Sequence, residues 1–365
     1  MGASCTEGWG VRVVVPSLLV GAGLDDAIGS LMEQFLTATP AAPAVCVAVE
    51  GPDSRLAVSL GQADPAAGSA MTADHAVRIA SCTKTFVAST VLDVADRGLL
   101  DLDQPAIEVA PPEVSSLLAA HDHGQAVTVR QLLQHRSGLV DHTETDEFAE
   151  TQRSSGRTHE WTALEQFALA AHRPALFEPG AAFSYSDSGY VLLGQIIEHL
   201  NGSSLAAAVR AACRFDDLGL GSIHWERVEP TPPGLVCAHQ FVDHQDTFAW
   251  NPTVDLFGGG GLVATMPDLA RWWSALFDRS VHEHLPFQIE DPQAAVRPDG
   301  LVGIGLGMFL FDVDGTQFWE HSGVWGFSAF HIPALRTSVA FVVTGRVDGA
   351  TLGEFRSNVV RTLAA

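Results

Sequence analysis

Lysine is nearly missing from this chain: of its 20 basic residues, 19 are arginine and one, Lys84, is lysine. Arginine holds its proton at any ordinary pH, whereas a lysine can be tuned to lose one. A position that needs a neutral amine cannot use arginine, and Lys84 becomes a residue to explain. Tyrosine is also scarce, with only Tyr185 and Tyr190. Positive charge as a whole is short, and the net charge is −23. Such a surface repels phosphate backbones and anionic lipid, so neither nucleic acid nor a membrane is an expected partner. No apolar run approaches the roughly 20 residues of a membrane span. The apolar stretches at 11–15 and 17–20 are split by Pro16, with no basic region ahead of them and no clear cleavage pattern. A soluble, cytoplasmic protein is expected, with export by an unrecognised leader as the alternative. The five cysteines (Cys5, Cys46, Cys82, Cys213 and Cys237) are odd in number and widely spaced. That suggests neither a disulfide framework nor a zinc ribbon, and free thiols in a reducing compartment fit best.

What is present is enough chain, 365 residues with 47% hydrophobic content, to bury a large core. Residues 25–38 carry Ile28, Leu31, Met32 and Phe35 on one helical face. Strand-like runs follow at 44–50 and 55–60, joined by a Gly-Pro-Asp-Ser turn. The middle is mainly helical: 81–96, 129–134, 161–171, 190–200 and 267–277 all have helical spacing or end signals. Strands return at 308–313, 316–320, 327–332 and 338–344, and a helix over 352–363 closes the chain. Strands at both ends with helices between predict an α+β fold, one antiparallel sheet built from both termini, flanked by helices, with a helical subdomain inserted. The expected organisation is an extension of uncertain role at 1–22 and a single catalytic domain at 23–365. Within that domain the α/β part covers about 23–80 and 262–365, and the helical part about 81–261.

Three short segments carry chemistry. Ser81-Cys82-Thr83-Lys84 opens a helix with apolar flanks on both sides. Residues three apart on a helix are neighbours, so the Lys84 amine can reach the Ser81 hydroxyl. Burial is expected to lower the lysine pKa and free the amine as a base. The first-turn N–H of Ser81 can point at a developing oxyanion. With 25 serines in 365 residues, the spacing alone arises by chance about 7% of the time, so it needs company. Tyr185-Ser186-Asp187 supplies some: a phenol beside an ammonium can ionise more readily and shuttle a proton. Asp187 or Ser188 can equally be read as the cap of the following helix. His321-Ser322-Gly323, in a strand, supplies the third, since glycine there lets a ligand or backbone approach closely.

The order Ser-x-x-Lys, Tyr-x-Asp, His-Ser-Gly resembles the family of class C β-lactamases, D-alanyl-D-alanine carboxypeptidases, D-amino-acid amidases and related esterases. The segments at 78–84, 129–139, 260–265 and 303–307 extend the resemblance, and the first is most like the amidases. The resemblance implies Ser81 as acylated nucleophile, Lys84 as base, Tyr185 as proton shuttle, and an oxyanion hole from the backbone N–H groups of Ser81 and Val324. It implies substrate contacts from Asp187, His321, Ser322 and Gly323. Many members have lysine at the position of His321 and asparagine at that of Asp187. The changes disfavour a substrate carboxylate and favour a neutral or amine-bearing substrate. Asp187 can alternatively pair with Lys84, which would raise the lysine pKa.

The resulting expectation is a serine hydrolase acting on an amide or ester of a small-molecule or peptide substrate, without cofactor or metal and of undetermined oligomeric state. An acyltransferase or peptide cyclase using the same acyl-enzyme is the near alternative, and a non-catalytic binding or sensor domain the distant one. The His121/His123 and His282/His284 pairs have metal-ligand spacing but no evident third ligand, and Gly258–Gly261 lacks the lysine of a phosphate loop.

Overall fold

The computed structural model describes residues 13–16, 23–281 and 300–365. Its main sheet runs in the order Val13–Pro16, Arg55–Asp64, Ala44–Glu50, Thr337–Val343, Phe327–Ile332, Thr316–Gly323, Phe309–Val313, Leu301–Ile304, with Ser69–Ala70 appended to Arg55–Asp64. Every neighbouring pair along that order is antiparallel. The two ends of the chain meet where Val47 opposes Phe341 and Ala48 opposes Ala340. The fold is α+β. A strand at Val13–Pro16, inside the segment read as an extension, pairs with the edge of this sheet.

Alternation along the strands sorts residues between two cores. Val45, Val47 and Val49 face the helices Leu24–Ala38 and Gly349–Ala364, where they meet Ile28, Met32, Phe355 and Val359. Ala44, Cys46 and Ala48 face the other way, into a larger core shared with the helix Met266–Phe277. Each fully buried Val, Leu, Ile or Phe contributes about 1.5–3 kcal/mol, and small residues on the second face leave room for Trp272 and Trp273. Trp272 stacks on Phe86 at 3.7 Å.

The helical part holds helices at Thr83–Asp96, Pro112–Ala120, Val129–Leu133, Asp146–Ser154, Ala163–Ala171, Asp187–Asn201 and Leu205–Ala212. Those at Pro112–Ala120, Asp146–Ser154 and Leu205–Ala212 were not expected from the sequence pattern. A second, small sheet orders His224–Trp225, Leu262–Ala264, His75–Arg78 and Val236–Cys237 and delivers the chain to Ser81. The helix Thr83–Asp96 is buried from Thr83 through Leu92, so it forms the axis of the helical part. Among the described residues no helix is long and apolar enough to cross a membrane.

Candidate active site

Ser81 is not in the helix itself. It sits in a 3-10 turn, Ala80–Cys82, and the α-helix begins at Thr83. Ala80 has φ +43°, a left-handed value uncommon outside glycine. The turn is held on both sides: Ile79 N–H donates to Leu262 O at 3.0 Å and Cys82 N–H to Ile79 O at 3.1 Å. The strand Thr316–Gly323 lies against it. A Cβ on Gly323 would stand 2.9 Å from both Ala80 Cβ and Ile79 O, and 3.4 Å from Ser81 N. The close approach that glycine permits at 323 is therefore that of the backbone of the Ser81 turn.

Lys84 lies one turn on, fully buried. Its Nζ is 3.0 Å from Ser81 Oγ and 2.6 Å from the Gly259 carbonyl oxygen, and it pairs with Asp187. Burial lowers its pKa, but the Asp187 carboxylate and the Tyr185 phenol override that, and the net shift is upward. This corrects the expectation of a depressed lysine: the resting site holds an ammonium with three acceptors. Tyr185 also departs from expectation. Burial raises its pKa and Asp187 adds to that, while Lys84 only partly opposes them. Its ring is 5.0 Å from Lys84 Nζ, close enough for the phenol and the ammonium to shift each other's pKa.

Asp187 is the first residue of the helix Asp187–Asn201, and the side-chain cap is neither Asp187 nor Ser188 but Ser186, whose oxygen accepts from Gly189 N–H. Freed from capping, Asp187 turns to Lys84. Its own N–H donates to Asp141 Oδ2 at 3.0 Å. Burial and the Asp187 charge raise the pKa of Asp141. His321 is buried, with Nδ1–H donating to Ser322 O at 2.8 Å. Burial and the Lys84 charge lower its pKa to about 3, so it stays neutral. His321, Ser322 and Gly323 pair with Ala329, Ser328 and Phe327 on one side. On the other they run past Phe309, where the neighbouring strand begins, which leaves that edge open beside Ser81. Val324, 47% exposed, follows at the turn.

The structure thus brings Ser81, Lys84 and Asp187 into one hydrogen-bonded group, lays the Tyr185 ring beside Lys84 and sets Gly323 against the Ser81 turn. Sequence reading passed over several neighbours. The Gly258–Gly261 run, set aside as no phosphate loop, threads between Lys84 and the helix Asp187–Asn201. A Cβ on Gly258 would meet Tyr190 O at 2.4 Å, and one on Gly260 would meet the Asp255 carboxyl at 2.3 Å. Four successive glycines in a non-repetitive chain were the available signal. His135 stacks on Tyr185 at 4.3 Å and its Nδ1 accepts from Ser186 N–H at 3.1 Å. Among the described residues no group of three His, Cys, Asp or Glu is placed to hold a metal ion. The His282/His284 pair lies outside the described residues.

Comparison with known proteins agrees with this geometry. The profile of the family described as Beta-lactamase matches residues 28–357. The chain is 28% identical over 334 residues to Esterase EstB of Burkholderia gladioli, covering 79% of this chain and 82% of that one. It is 26% identical to Penicillin-binding protein 4 of Amycolatopsis lactamdurans, over 81% of this chain and 78% of the relative. The D-amino acid amidase of Ochrobactrum anthropi SV3 superposes with a TM-score of 0.79 at 24% identity, covering 94% of this chain and 99% of that one.

Proposed function

Because the chain belongs to the β-lactamase family, we propose that it is a serine hydrolase that takes the acyl group of a small amide or ester onto Ser81 and releases it to water. The observation that carries this reading is the 3.0 Å contact between Ser81 Oγ and Lys84 Nζ, with the Tyr185 ring 5.0 Å from that nitrogen.

The roles follow from proton positions. Lys84 rests as an ammonium held by Asp187, so it must first lose a proton to solvent. The Ser81 proton then moves to Lys84 as Oγ bonds to the substrate carbonyl carbon. The carbonyl oxygen takes the negative charge and is held by the N–H groups of Ser81 and Val324. Tyr185 gives its proton to the leaving nitrogen or oxygen and is refilled from Lys84. Water repeats the sequence in reverse on the acyl-enzyme, regenerating Ser81.

The substrate is neutral or amine-bearing. Lys84 is committed to Asp187 and His321 is neutral, so neither offers a free cation to a substrate carboxylate. The four described cysteines are free thiols, which favours the cytoplasm as location, and the net charge of −23 disfavours nucleic acid and membrane partners. The test compares p-nitrophenyl esters and D-amino-acid amides with matched substrates that carry a carboxylate next to the scissile bond. A higher kcat/KM for the uncharged or amine-bearing member is expected, and a preference for the carboxylate would point to a carboxypeptidase instead. Product analysis with an added amine distinguishes hydrolysis from acyl transfer.

A further inference from the structure

The turn that carries Val324 is pinned from outside the site. Trp325, the next residue, is buried against Ala80, Val242 and Trp250. Its indole N–H donates to Asp255 Oδ2 at 3.2 Å. Its backbone oxygen accepts from Gln240 Nε2 at 3.3 Å, and the same amide clamps the backbone of Arg78 through bonds of 2.9 Å and 3.1 Å. Asp255 in turn rests on the Cα of Gly260, so close that no side chain fits there. The preceding residue, Gly259, presents its carbonyl to Lys84. One carboxyl therefore links the glycine run that holds Lys84 to the turn that holds Val324.

That carboxyl is costly to keep. Burial and the Asp187 charge push its pKa up to about 7, against the opposing pull of Lys84, the Trp325 hydrogen bond and Arg78. Glu226 lines the same small cavity but is paired with Arg78. An apolar residue would avoid the cost, and would leave the buried indole N–H without a partner.

We infer that Asp255 is a positioning residue of the oxyanion hole, fixing the Val324 N–H through the Trp325 indole. The inference rests on the reading of Ser81 and Val324 given above. It acts on the transition state and not on ground-state binding, because the donor has to meet the oxygen where charge develops.

The experiment is steady-state and burst kinetics with a p-nitrophenyl ester on wild type, Asp255→Ala, Asp255→Asn, Trp325→Phe and the double variant Asp255→Ala/Trp325→Phe. Each preparation is checked for folding by thermal melting and for active Ser81 by fluorophosphonate labelling. Asp255→Ala and Trp325→Phe should each lower kcat by about 10–10²-fold, below the full loss of an oxyanion donor, with KM changed less than about threefold. The double variant should fall no further than either single one, since both remove the same bond. Asp255→Asn keeps an acceptor for the indole and should recover most of the loss. An unchanged kcat in a folded Trp325→Phe, a multiplicative double variant, or a loss confined to KM would overturn the inference. Should Asp255→Ala fail to fold, Trp325→Phe and Asp255→Asn still decide it. A wild type that is not labelled on Ser81 would instead overturn the underlying reading.

Discussion

The carbonyl oxygen of Gly259 accepts a 2.6 Å hydrogen bond from Lys84 Nζ, which sets how the only lysine of the chain behaves. With Ser81 Oγ and Asp187 it completes three acceptors around one nitrogen, the arrangement an ammonium requires. Acylation must therefore begin with loss of a proton from that group. Lys84→Arg keeps the charge but cannot give up the proton, and should be nearly as inactive as Lys84→Ala. The single-turnover acylation rate of wild type should rise with pH as Lys84 is deprotonated. Asp187 raises the Lys84 pKa, so Asp187→Asn should move that rise to lower pH. Substantial activity in Lys84→Arg would make Lys84 a fixed charge and leave Tyr185 as the base.

Tyr185 lies with its ring 5.0 Å from Lys84 Nζ and stacked on His135. Tyr185→Phe keeps the stack and removes the hydroxyl proposed to carry the proton. Turnover should fall by about 10²–10⁴-fold with the melting temperature nearly unchanged. Normal turnover would reduce the tyrosine to a wall of the pocket.

Gly323 is the point where the strand Thr316–Gly323 meets the turn that carries Ser81. In Gly323→Ala the new Cβ would stand 2.9 Å from Ile79 O and Ala80 Cβ, both parts of a rigid, hydrogen-bonded turn, so Ser81 has to move. A loss of acylation rate on the order of 10²-fold is expected, the scale of an ångström-sized misplacement. A folded Gly323→Ala with wild-type acylation would show that the turn yields without cost.

Asp255 also makes stability depend on pH. Its folded pKa of about 7 stands above the ordinary 3.8, so the folded state binds the proton more tightly than the unfolded state. The associated stability is fully present below the unfolded value and is lost as pH rises through the folded one. Asp255→Asn should therefore melt a few degrees above wild type at pH 8, with the gap closing towards pH 4. A constant difference across that range would mean the carboxyl does not titrate in the folded protein.

How far the sequence could be read follows from which signals are local. The apolar strand-like runs at 44–50 and 327–332 and the helical spacing over 25–38 predicted elements that the structure places at nearly the same residues, because burial writes itself into the local pattern. The Ser81–Lys84 proximity was legible for the same reason, being a one-turn relationship. The direction of the Lys84 pKa was legible only as an alternative, the pairing with Asp187. It depends on Asp187 and Tyr185, both far along the chain, and local pattern could not weigh them against burial. The helices Leu205–Ala212 and Asp146–Ser154 were missed because one is alanine-rich and the other mostly polar. The role of Asp255 was invisible in a chain with many aspartates, since only the fold brings it to Trp325.

The central claim is that Ser81 is the residue acylated. Intact-protein and peptide mass spectrometry after brief exposure to a p-nitrophenyl ester measures this directly. The account predicts one acyl group per chain, located on the peptide containing Ser81, formed within the burst phase, lost on further incubation, and absent in Ser81→Ala. An adduct on any other residue, or full ester turnover by Ser81→Ala, would contradict it.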